Sequence, residues 1–199
     1  MRIYLIIYLS ILSLTSSAQG FLNTYVIDYL KGPGTYKLVD GTTGEGKLTF
    51  HTRNESVLFA GKGKKFIADQ VQSFTIGGHT LVPAGNFYFE FGINSFQATN
   101  AFIEFLATTG ELELAVFHIC EPMGANARFS FPTYLVRPRG TTAFLVGPAD
   151  NGRELNKQHR QLLADALARW PAFQQKILAK QVNFENFPAC VRQANQLKE

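Results

Sequence analysis

The stretch "AFIEFLATTGELELAVFHICEP", residues 101–122, carries the pattern from which the fold can be read. Two runs of alternating apolar and polar residues flank Thr109-Gly110, the signature of two antiparallel strands joined by a tight turn. With the turn centred there, Ile103 is expected opposite Val116, Phe105 opposite Leu114 and Ala107 opposite Leu112. Glu104, Glu111 and Glu113 would then share the wet face. Because side chains alternate along a strand, a slip of one residue would turn those carboxylates inward.

The same texture extends on both sides. From 23 to 146, short apolar runs such as "TYKLV", "SVLFA", "VQSFTI", "NFYFEFG" and "TAFLV" alternate with turn-forming stretches such as "DGTTGEG", "IGG" and "RPRG". Strands at such spacing indicate antiparallel structure, and nothing here alternates with helices as a parallel sheet requires. The chain has 18 Phe and 7 Tyr against one Trp, which also suits strands. After residue 150 the period changes. Asn151 and Glu154 have capping-box spacing, and Leu155, His159, Leu162, Leu163, Ala166, Leu167 and Trp170 recur on one helical stripe. Pro171 opens a second helix, expected over 172–182, and Asn186 a third with Cys190, Val191, Ala194 and Leu197 on its apolar side. The reading is α+β: an antiparallel β-rich sheet or partial barrel over 23–146, packed with C-terminal helices over 151–197.

The chain opens "MRIYLIIYLSILSLTSSAQG". One basic residue, a twelve-residue apolar core from Ile3 to Leu14 and a small-residue site at Ser16-Ser17-Ala18 read as a signal peptide over 1–18. That core is too short to span a bilayer, and no later run approaches spanning length. Residues 19–199 are expected to form one exported domain with its helical segment at 151–199, located in the periplasm, at the outer membrane or outside the cell. The net charge is +4, and residues 151–199 hold 8 Lys or Arg against 4 Asp or Glu. No nucleic-acid signature accompanies that surplus.

The order of features resembles a set of uncharacterised exported proteins common in Bacteroidota. The carrying segments are "VDGTTGEGKLTF", "FIADQVQSFTIGG", "FIEFLATTGELELAVF", "TYLVRP" and a closing "FPACVRQAN", in which Ala194 stands before Asn195 where an aromatic is expected. The resemblance implies a Gram-negative envelope setting and brings no established activity or functional residues.

Candidate sites are few. "AGKGKKF" offers Lys62, Lys64 and Lys65 for an anionic headgroup, without phosphate-loop spacing; a solvated hairpin tip is the plainer reading. Phe87, Phe89 and Phe91 fall on one strand face and could line a cavity for a lipid-like ligand, or simply fill a core. Glu104 and Glu113, on one hairpin face, could act as the carboxylate pair of a hydrolase. His51, His79, His118 and His159 lack metal-ligand spacing, so no metal or cofactor is expected. Cys120 and Cys190 are an even pair in an exported chain, which favours a disulfide. It would close a loop worth at most ~4 kcal/mol and clasp the last helix to the sheet. The function expected is non-catalytic: structural, adhesive or binding at the cell envelope, with an envelope protein or a lipid-like ligand as partner. A carrier or sensor of an apolar ligand, and a hydrolase, are the alternatives.

Overall fold

Alternation and glycine-marked turns set residues 31–149 into twelve strands, all paired antiparallel. The computed structural model describes residues 31–196 apart from 53–55, 62, 86, 92–93, 123–127 and 151–153, and describes the backbone alone at 51–52, 89–91, 94–96, 119–122 and 128–131. The signal-like segment 1–18, Lys62, Asn151 and Leu197 lie outside the described residues.

The strands are β1 (Lys31–Leu38), β2 (Thr43–Thr52), β3 (Ser56–Ala60), β4 (Lys64–Ile67), β5 (Val71–Ile76), β6 (His79–Ala84), β7 (Phe87–Phe91), β8 (Asn94–Ala98), β9 (Ala101–Ala107), β10 (Leu112–Pro122), β11 (Arg128–Pro138) and β12 (Leu145–Ala149). Ten of them form one sheet in the order β12-β11-β10-β9-β6-β5-β1-β2-β3-β4, while β7 and β8 pair separately. The large sheet curls into a half-barrel: β10 and β2 touch across its concave side although four strands separate them in the sheet. Phe50, Phe74 and Phe102 meet inside the curl with ring centroids 4.9–5.6 Å apart. Such tilted and edge-on ring contacts are characteristic of a filled aromatic core. On the opposite face, the β7–β8 hairpin delivers Phe87 onto Phe117, 5.2 Å between centroids, and Phe144, 6.4 Å.

The β9–β10 hairpin forms where expected, but in a different register. Val116 faces Glu104, Ala115 faces Phe105, and Leu114 faces Ala107, so Leu106 is an extra residue on β9. A β-bulge of this kind flips one side of the pairing by one position. All three expected pairs, Ile103–Val116, Phe105–Leu114 and Ala107–Leu112, are replaced. Glu104 now shares the face of Leu112, Leu114 and Val116, while Glu113 lies on the face of Ala115 and Phe117.

Three helices follow: α1 (Lys157–Ala166), α2 (Pro171–Leu178) and α3 (Phe187–Gln196). The first begins later than its sequence suggested. Asn156 is its N-cap, accepting the His159 backbone N–H at 2.8 Å and so satisfying one of the open donors of the first turn. Pro171 opens α2 as expected, and the helix ends at Leu178, shortly before Lys180 adopts φ +60°. Ahead of α3, Asn183 and Asn186 exchange side-chain to backbone bonds of 2.9 Å in both directions.

The helices bury their apolar sides on β10 and β11. Leu163, Leu167, Trp170, Phe173, Ile177, Phe187, Val191 and Ala194 form one cluster with Leu112, Leu114 and Val136. Phe187 is fully buried, stacked on Tyr134 and seated over Gly147, where a Cβ would meet its ring at 2.8 Å. A polar clamp completes the docking. The Asn195 side chain accepts the Leu112 N–H at 2.8 Å and donates to the Leu112 carbonyl at 2.9 Å and the Thr109 carbonyl at 3.3 Å. An amide side chain thus stands in for the neighbouring strand that the first residue of β10 lacks on that side. Gly110 has φ +101°, and any Cβ there would collide with the Asn195 amide.

Cys190 is buried on α3. Cys120 pairs with Ser130 in the β10–β11 ladder, and its side chain, half of the bridge expected to Cys190, lies outside the described residues. Among the described residues the polar clasp on the last helix is Asn195. Thiol titration of denatured protein before any reductant is added tests the bridge: no free thiol is expected with Cys120 and Cys190 joined, and two overturn it.

Asn195→Ala leaves the Leu112 N–H and carbonyl without their partner and is expected to cost about 2–4 kcal/mol in urea unfolding. Gly110→Ala combines a disfavoured backbone angle with that collision and should cost about 2–3 kcal/mol. Both losses are expected without a change in the far-ultraviolet circular dichroism of the native state.

Candidate functional site

Two polar groupings stand out against the apolar cores. The first follows from the bulge. Glu104, turned onto the inner face, is flanked there by His79 from β6 and His118 from β10. The His79 Nδ1 lies 2.9 and 3.0 Å from the two Glu104 carboxylate oxygens. The His118 Nε2 is 3.8 Å from Oε2, beyond hydrogen-bond reach, and is buried with no hydrogen-bond partner. Burial pushes the Glu104 carboxyl up, and the His118 and His79 imidazoles more than offset it, leaving the carboxyl below its ordinary value. The His79–Glu104 bond ties β6 to β9, with His118 of β10 beside it. Among the described residues no three His, Cys, Asp or Glu side chains converge to hold a metal ion.

Glu113, on the other face, is held by Arg137, whose Nε donates to it at 2.6 Å. That guanidinium also lies over the Phe144 ring at 4.3 Å and the Phe105 ring at 5.5 Å. Glu104 and Glu113 are therefore not a pair: the sheet separates them, and each carboxylate already has a cationic or imidazole partner.

The second grouping is a cleft of about 770 Å³ at the foot of the hairpin. Four separate segments build it: the Gly110–Glu111 turn, Pro138–Arg139 at the end of β11, the corner from Arg169 to Phe173, and Ala194–Asn195 on α3. The corner is the turn over 167–170 that follows the end of α1 at Ala166, after which Pro171 starts α2. Trp170, Phe173 and Ala194 are buried and form the floor, while Glu111 and Arg169 stand exposed at the rim. Arg169 reaches Glu111 at 3.4 Å and lies 5.9 Å from the centre of the Trp170 ring. Arg139 is positioned by the same turn: its backbone N–H donates to the Glu111 carbonyl at 2.7 Å, and its guanidinium donates to the Thr108 carbonyl. Clefts of this size with an apolar floor and a few placed polar groups are the usual form of small-ligand sites.

The residues singled out by sequence fare differently. Lys64 and Lys65 are exposed on β4, the edge of the sheet, where lysines deter pairing with another strand. Lys62 lies outside the described residues. Phe87 is 1% exposed and packs in the core, while the side chains of Phe89 and Phe91 fall outside the described ones. None of the cleft's Arg139, Arg169 or Glu111 was marked as a site, because no spacing links segments so far apart in sequence. The surplus of Lys and Arg after residue 150 was the one signal in that direction. No family model, curated protein or solved structure matches the chain. Among the described residues no helix is long and apolar enough to cross a membrane.

The lowered Glu104 carboxyl links to stability with a definite sign. A group whose folded pKa lies below its unfolded one stabilises the fold above the unfolded value and loses that contribution as pH falls through the folded one. Chemical denaturation of wild type and Glu104→Gln across pH 6 to 3 should therefore show a wild-type advantage at the upper end. That advantage should shrink as pH falls below the ordinary glutamate value of 4.5. A difference independent of pH would refute the tie.

Proposed function

We propose that this chain acts without catalysis, as an exported binding protein of the cell envelope, in the periplasm, at the outer membrane or outside the cell. The single observation that carries the binding role is the cleft beside Trp170, held in shape by Asn195, Pro171 and the β9–β10 turn. The signal-like residues 1–18 support export, and the resemblance to exported Bacteroidota proteins supports the envelope setting.

Two observations weigh against the alternatives. For a hydrolase, the carboxylates available for the pair are on opposite faces and already partnered. For a carrier with a Phe-lined cavity, the described Phe rings of the curl pack on one another at core distances. A binding role at the rim of the sheet requires neither a reactive pair nor a hollow interior.

The test is native mass spectrometry of the protein purified from its own envelope fraction. The expected result is a chain beginning near Gln19 that carries a ligand adduct, released unchanged on denaturation. A chain retaining residues 1–18 in the cytosol overturns the export reading. Release of a chemically altered adduct, or an adduct that persists when the cleft is blocked by Ala172→Trp, overturns the binding reading.

A further inference from the structure

The cleft is chemically lopsided, and that asymmetry says what it would take. Its floor is apolar: Trp170 is 9% exposed, Phe173 3% and Ala194 4%, and Pro138 and Pro171 continue the apolar lining. Two guanidinium groups flank this floor, those of Arg139 and Arg169, against the single carboxylate of Glu111. Each planar guanidinium has five N–H donors in a fork that matches an oxyanion. Arg139 donates to the Thr108 carbonyl and is fixed through its own backbone to the Glu111 carbonyl, so it is pre-positioned and keeps donors in hand. Arg169 makes a long contact with Glu111, 3.4 Å between charged atoms and largely exposed to water, which is a weak hold. A stronger oxyanion in the cleft would displace it. The described helical segment, with 6 basic and 3 acidic residues over 154–196, gives the approach the matching sign.

We propose that this cleft binds a small amphiphile with one oxyanion head, a carboxylate or a phosphate, set between Arg139 and Arg169, with its apolar body on the Trp170–Phe173 floor. This rests on the binding role proposed above and names its ligand chemistry. Glu111 is the built-in competitor: it occupies Arg169 when the cleft is free and must yield when an anion arrives. No bond is made or broken.

The chain has one tryptophan, so its indole emission reports on the cleft floor alone. The experiment titrates the whole protein at low ionic strength with octanoate, octyl phosphate and octanol, followed by Trp170 fluorescence and, independently, by equilibrium dialysis. Octanoate or octyl phosphate should bind saturably, with octanol at least about tenfold weaker, since a charge-assisted contact is roughly that strong. The tighter of the two anions identifies the head group. Arg169→Gln, at a side chain 73% exposed, should keep the native melting temperature and weaken anion binding about tenfold without affecting octanol. Glu111→Gln should tighten it a few-fold by freeing Arg169.

Equal binding of octanol and octanoate overturns the proposal, as does unchanged affinity in Arg169→Gln, or no binding by dialysis. If these fail while the envelope-purified protein still carries an adduct that Ala172→Trp removes, the binding role stands and only the oxyanion chemistry falls. If neither adduct nor amphiphile binding is seen, both fall.

Discussion

One additional residue in β9 fixes the chemistry of both faces of the sheet. Leu106 has no partner of its own on β10, and the pairing beyond it is displaced by one position. Without that bulge, Glu104 and Glu113 would lie on the same face. With it, Glu104 enters the inner face, bonds His79 of β6 and lies beside His118 of β10, while Glu113 meets Arg137 on the outer face. The same displacement leaves Leu112 and Leu114 facing the helices. Burying a carboxylate without a partner would cost several kcal/mol, so the bulge is tolerable only because each carboxylate meets a hydrogen-bonding partner.

The helices are joined to the sheet by both apolar and polar contacts. Phe187 over Gly147 and the Leu163–Trp170–Ile177 packing supply apolar burial, whereas Asn195 supplies direction. Apolar contact alone would allow α3 to slide along β10. An amide that must meet both the N–H and the carbonyl of Leu112 selects one position. The cleft is a by-product of this docking, since the corner at Pro171 and the end of α3 close against the turn that Asn195 holds.

Much of the fold was legible from residues alone, and the misses have physical causes. "SVLFA" and "VQSFTI" coincide with β3 and β5 because glycine and polar turns bound them on both sides. "KKFI" and "NSFQA" became β4 and β8 unanticipated, because each is short and has only two apolar residues: pairing with a neighbour makes each a strand. The bulge is invisible in the sequence since Leu106 is as apolar as its neighbours, and a register without it puts Glu104 and Glu113 on one face instead of two. Asn151 and Asn156 are equally good caps by type; the structure shows Asn156 in use. The histidines at 79 and 118 looked scattered because their meeting point is Glu104, on a strand between theirs. The cleft draws on residues up to 85 positions apart, from Gly110 to Asn195, and no local pattern records such a convergence.

The Asn195 clamp is also a long-range closure. Its bonds to Leu112 span 83 positions, and contacts of such sequence separation carry a loop-closure cost that local hairpins do not. Until α3 docks, the helix-facing side of β10, with Leu112 and Leu114, lacks that cover, and the turn at Gly110 is held from the Arg139 side alone. Local pairing can therefore build β9 and β10 before their shared turn reaches its final shape, and the amide of Asn195 sets that shape only once the helices are in place.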